Sequence, residues 1–215
     1  MYIANNVISN ALKNVYWVLG GACGGKTTAA RTLSEKYGMI HYNADDKMWS
    51  HKQMANYSEQ PAMCRHFSNW EEYFGRPIKE YSKWLKDMND EAISMHIVDL
   101  IHLAKDSKVV FEGHISIDSI ISITNHNKIV FLNADEEVVK RAYFDRQDKE
   151  DMYKLIKTLP DSKEIIDKIY NMTILGNNEH LAMARDRGIK VISRDINSII
   201  PEMISSIEDH FHLNL

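Results

Sequence analysis

The sequence predicts an α/β protein built on a parallel sheet, and three observations carry that reading. Four to five short β-branched or apolar runs are spaced between stretches of helical periodicity. The first two runs enclose a single helical pattern, the spacing of a βαβ unit. Between the first run and that helix stands a glycine-rich segment ending in Lys26-Thr27.

The runs read as buried strands cover residues 15–19, 39–42, 108–111, 128–132 and 189–192. The helix between the first two, residues 27–37, places Ala29, Ala30, Leu33 and Tyr37 at helical steps and stops at Gly38, a suitable C′ residue. About sixty residues separate Tyr42 from Lys108, where a crossover needs only about 10–12, so a helical insertion over 47–106 is expected. Trp70, Tyr73, Phe74, Ile78, Tyr81, Trp84, Leu85 and Met88 form one apolar stripe there, and Ile93, Ile97, Leu100, Ile101 and Ala104 a second. At least two helices are expected, broken near Gly75-Arg76-Pro77, where proline lacks a donor and disfavours helix in the residue before it.

After the fourth run, Asn133 is read as the cap of a helix reaching about Arg146, with Asp135, Glu136 and Glu137 suiting its positive end. Charged text follows to Leu175; Gly176-Asn177-Asn178 reads as a break, and a short helix from Glu179 ends at Gly188. A last helix, opened near Pro201, presents Met203, Ile204, Ile207 and Phe211 on one face. The whole chain reads as one domain, without internal repeats.

The 215 residues are 44% hydrophobic and 26% charged, which allows a full core and argues against disorder. The formal charge of −4 is spread without a basic run, so neither nucleic acid nor an anionic membrane is an expected partner. The N-terminal residues show no apolar signal segment, and no stretch approaches the ~20 apolar residues that cross a bilayer; a cytoplasmic location is expected. Cys23 and Cys64 are too few for a disulfide framework, and the ten histidines show no zinc-ligand spacing.

Gly20-Gly21-Ala22-Cys23-Gly24-Gly25-Lys26-Thr27 fits G-x-x-x-x-G-K-[ST], between a strand and a helix as phosphate binding requires. Backbone N–H groups of such a loop turn inward around phosphate oxygens, Lys26 reaches the β/γ-phosphates, and the Thr27 hydroxyl ligates Mg²⁺. Thr28 extends the same helix start. A plain strand-to-helix turn would explain the glycines but not Lys-Thr in register. Cys23 reads as a small filler, with no base identifiable beside it.

With these residues in place, the chain resembles the P-loop small-molecule and nucleotide kinases, the group of shikimate kinase, nucleoside monophosphate kinases and chloramphenicol phosphotransferase, in motif order over nearly its whole length. The resemblance implies a three-layer P-loop fold with a five-stranded parallel sheet, an acceptor-binding insertion after the second strand, and an arginine-bearing lid over about 146–178. It implies ATP and Mg²⁺ as cofactors, a small-molecule acceptor, and a monomer or homodimer.

Carried onto this sequence, His41-Tyr42-Asn43-Ala44-Asp45-Asp46 is similar to the acidic pair that positions the acceptor hydroxyl, with Asp45 the first choice; the bland reading is that Asp45 and Asp46 cap the following helix. Asn43 stands where shikimate kinase has an Asp. Glu112, ending the third strand, resembles the acid that orders the magnesium shell, and a carboxylate there is costly unless paired or metal-linked. Arg141 is the expected adenine contact and Arg146 the expected contact to the transferring phosphate; ordinary pairing with Glu137 or Asp145 is the other reading. Arg194, in Ser193-Arg194-Asp195, falls where the family's loop packs on the adenine.

Candidate acceptor contacts in the insertion are Trp49, Trp70, Trp84, Arg65, His66, Arg76, Lys79 and Lys83, although an aromatic stripe is more often core than pocket. A guanine-type switch is disfavoured, because Asn127-Lys128-Ile129-Val130 and Glu112-Gly113 replace its N-K-x-D and D-x-x-G. The remaining alternative is a nucleotide-binding regulatory protein that hydrolyses ATP slowly without an acceptor.

Overall fold

The computed structural model describes residues 3–214. Its strands are β1 (Val15–Gly20), β2 (Ile40–Asn43), β3 (Val109–Gly113), β4 (Ile129–Ala134) and β5 (Lys190–Arg194). They form one all-parallel sheet in the order β2-β3-β1-β4-β5. Each ends one or two residues later than its apolar run, because the ladder continues into the small and polar residues that begin the next loop. The register sets Val18 beside Glu112 and Gly20 beside Leu132, which gathers the C-terminal ends of β1, β3 and β4 at one edge.

Ten α-helices accompany the sheet among the described residues: α1 (Asn5–Ala11), α2 (Lys26–Tyr37), α3 (Ala44–Met54), α4 (Trp70–Gly75), α5 (Ile78–Leu103), α6 (Ile117–Ile120), α7 (Glu136–Ala142), α8 (Glu150–Lys157), α9 (Ser162–Asp186) and α10 (Ile200–Phe211). Strand side chains alternate between the two faces of the sheet. Trp17, Leu19, Phe111 and Phe131 pack with Leu100 of α5 and Ala184 of α9 on one face. Val18, Val110, Val130 and Leu132 pack with Leu33 of α2 and Met203, Ile204 and Ile207 of α10 on the other. This is the three-layer, five-stranded architecture expected above. No described helix is long and apolar enough to cross a membrane.

A third core lies off the sheet. Phe74 of α4, Tyr81 and Trp84 of α5, Phe144, Ile156 of α8, and Ile165, Ile169 and Met172 of α9 enclose it. Arg76, only 5% exposed, sits inside with its guanidinium carbon 4.1 Å from the Phe67 ring centroid, 4.3 Å from Tyr81 and 4.6 Å from Trp84. Cation–π attraction in a desolvated setting offsets part of the burial cost of that charge.

Three local expectations are corrected. Asn133 belongs to β4 and is buried; Asp135 is the cap of α7, its carboxylate accepting from Val138 N–H at 2.9 Å. α7 ends at Ala142, so Arg146 lies beyond it, at the start of a 3₁₀ turn. Gly176-Asn177-Asn178 does not break the chain: α9 runs through it, the ~1 kcal/mol helix penalty of glycine being outweighed by burial of Ile169, Met172, Asn177 and Ala184 along the same rod. α1 carries no periodic apolar signal; it is tied down by Ile8 against the sheet core.

Candidate active site

The glycine-rich loop joins β1 to α2 at the gathered edge. Gly20 adopts φ +147°, and a Cβ there would lie 2.0 Å from the Leu132 carbonyl oxygen, so the loop leaves the sheet by a path that only glycine can follow. Gly25 precedes α2 in the left-handed region at φ +94°. α2 then begins at Lys26 with neither a side-chain cap nor an acidic residue in its first turn, so its positive end is open to an anion. Gly24 N–H closes the turn onto the Gly21 carbonyl, and Cys23 holds a left-handed φ of 62°. Thr27 and Thr28 are exposed on the first turn.

Lys26 donates from Nζ to the Gly21 carbonyl at 2.8 Å. Desolvation pulls its pKa below the ordinary lysine value, with Asp45 and Glu112 opposing that shift. Glu112 is buried at the end of β3, and both of its oxygens are held: Oε2 accepts from the Thr27 hydroxyl at 2.8 Å and Oε1 from His41 Nε2 at 2.9 Å. An alcohol and a carboxylate in direct contact beside an open helix N-terminus form an all-oxygen donor set of the kind Mg²⁺ takes alongside phosphate and water. The residues present therefore fit Mg·ATP.

Asp45 lies in the first turn of α3, but the cap is Asn43, whose Oδ1 accepts from Asp45 N–H at 2.9 Å. The carboxylate of Asp45 is thus not used as the cap and lines a cavity of about 650 Å³ that reaches from the loop between α5 and α9. Lys26 and Arg146 line the same cavity. Arg146 is braced by Asp148, which it approaches through Nε at 3.0 Å, and these bonds hold Asp148 down at about 2. Arg194 approaches the loop from the end of β5, its Nη1 3.9 Å from a Cβ built on Gly25. Arg141 is exposed on α7 and does not line the cavity.

The insertion candidates separate. Lys83 lines the cavity, whereas Arg76 and Trp84 belong to the aromatic core. Trp49 and Lys79 are exposed, and Arg65, His66 and Trp70 border a separate surface recess of about 360 Å³. Three cavity residues carry no motif by which sequence could have found them. Asn177 of α9 accepts from Ala22 N–H at 2.9 Å and donates to Ala22 O at 3.2 Å, clasping the glycine-rich loop. His114 follows β3 and His180 lies on α9, their ring centroids 4.3 Å apart.

No protein-family model matches the chain, and no curated protein sequence does. Among solved structures, a shikimate kinase from Acinetobacter baumannii in complex with shikimate is similar over 96% of this chain and 98% of that one, at 15% sequence identity and a TM-score of 0.46. The functional reading therefore rests on the residues of the site.

Proposed function

We propose that this protein is a kinase that transfers the γ-phosphoryl group of Mg·ATP to a hydroxyl or phosphate of a small molecule. The observation that carries this is the opening of one cavity onto Lys26, Asp45 and Arg146, next to the Thr27–Glu112 pair. A loop that only bound nucleotide would have no need of an adjoining cavity lined by an acid.

Lys26 and the N–H groups opening α2 hold the phosphates, and Arg146 neutralises charge that builds on the equatorial oxygens during transfer. Thr27 and Glu112 would hold Mg²⁺, which when bound would withdraw charge from the phosphates. Asp45 orients the acceptor hydroxyl and takes its proton as the new O–P bond forms and the bond to the β-phosphate oxygen breaks, releasing ADP. Arg194, and Arg141 from further out, serve the nucleotide side.

The test is transfer of labelled γ-phosphate from Mg·ATP to pooled metabolites. Lys26→Ala should abolish labelling while the circular dichroism stays native, and Asp45→Asn should lower kcat by about 10²-fold or more with little change in the KM for ATP. Full activity in Lys26→Ala refutes the assignment. Nucleotide binding with no acceptor-dependent labelling across the pool would favour the regulatory reading instead.

A further inference from the structure

We propose that the acceptor taken by this cavity is an uncharged hydroxyl compound with an apolar body, recognised by hydrogen bonds that it donates to His114 and His180; the inference rests on the kinase reading above. The first observation is the state of the cations around the cavity. Lys83 is paired with Asp87 and Lys86 with Asp90, while Arg146 and Lys149 share Asp148. Among the described lining residues the remaining lysine is Lys26, at the phosphate loop and bonded to Gly21. These carboxylates offset the cations beside the cavity, and an anionic acceptor would in addition face Asp45 and Glu179 on the same walls. A neutral one meets no such cost.

The second observation is the tautomer of the two imidazoles. His114 Nδ1 lies 3.3 Å from the Gly20 carbonyl oxygen and His180 Nδ1 2.7 Å from that of Gly176. A carbonyl only accepts, so each Nδ1 carries a proton, and in the neutral imidazole Nε2 is the lone-pair acceptor. Two adjacent acceptors select a molecule rich in O–H or N–H donors. Leu85, Met88, Met172 and Met183 supply the apolar part of the lining, with thioethers that adapt to irregular shapes. A cavity of about 650 Å³ accommodates a molecule of nucleoside size.

The experiment compares matched neutral and charged acceptors with labelled Mg·ATP: nucleosides against their 5′-monophosphates, glycerol against glycerate, and chloramphenicol against its hemisuccinate. The neutral member of at least one pair should be labelled with the higher kcat/KM. On that acceptor, His180→Leu and His114→Leu should each raise the acceptor KM about tenfold with the KM for ATP unchanged. The glutamine variants, which keep an acceptor atom near the Nε2 position, should recover part of the loss and guard against misfolding of the leucine forms. Preference for the charged members overturns the inference and leaves the kinase reading standing. Equal losses toward ATP and acceptor, or no rescue by glutamine, overturn the histidine pair as the recognition element. Mg·ATP turnover that no member of any pair alters, with no labelled product, overturns both readings.

Discussion

Lowering the pH from 7 to 5 should destabilise this protein sharply, because two histidines are held neutral inside it. His96 is 2% exposed, packed against Phe111, Tyr42 and His51, and burial, reinforced by the neighbouring His51, lowers its pKa from 6.5 to about 4. His114 is lowered by the same effect to about 3. In the unfolded chain both titrate near 6.5, so below that value the unfolded state binds more protons than the folded one, and stability falls as pH falls until the folded pKa values are reached. Going from pH 7 to 5 protonates almost the whole unfolded population and almost none of the folded, which costs about 2 kcal/mol per histidine, or about 4 kcal/mol together. Asp148, held at about 2, loses its contribution only below the ordinary aspartate range, outside this window. Urea unfolding at the two pH values measures the difference directly, and His96→Gln, which keeps an N–H donor for the Tyr42 hydroxyl oxygen whose own proton goes to Asp99, should abolish about half of it. An unchanged pH dependence in His96→Gln would refute the reasoning.

Other consequences are equally open to measurement. Glu112→Gln should raise the Mg²⁺ concentration needed for half-maximal activity by about tenfold or more, because a charged oxygen in contact with Thr27 is replaced by an amide; titration of activity against Mg²⁺ reads this. Gly21→Ala should destabilise the fold, since its Cβ would fall 2.3 Å from Asn177 Oδ1, and Asn177→Ala in the same chain should restore part of the loss in thermal unfolding. Cys23→Gly should stabilise by about 1 kcal/mol at neutral pH by relieving a left-handed cysteine; a lower melting temperature would show instead that the packing of its side chain against the Ala134, Val138 and Val139 cluster outweighs the strain.

The glycine-rich loop between β1 and α2 was legible because its signal is local: eight consecutive residues that leave a strand and open a helix. Glu112 was legible for a related reason, since an ionised carboxylate at the end of a buried apolar strand is stable there only when it is paired or bound to a cation. Asn177 and His180 were not, since their roles arise from folding α9 back over a loop 155 residues away from Asn177 in sequence. Gly176-Asn177-Asn178 has the composition of a turn, and burial on both sides of it overrode that local preference. Arg76 read as an anion contact because charge is visible in a sequence, whereas the rings that surround it come from three separate stretches of the insertion. Arg146 was placed on a helix that stops at Ala142; helix ends set by tertiary contacts leave little trace in periodicity.

The aromatic core and the sheet core share no loop-borne junction along α5 or α9. α5 contributes Tyr81 and Trp84 to one and Leu100 to the other, and α9 contributes Ile165 and Ile169 to one and Ala184 to the other. Each helix is one hydrogen-bonded rod, about 39 Å long for the 26 residues of α5. Melting either core alone would have to fray both rods at mid-length, where new helix ends expose unsatisfied backbone groups in every turn lost. The aromatic core thus has no unfolding transition separate from that of the sheet, and amide exchange at the middle of α5 and α9 should be as slow as in β1.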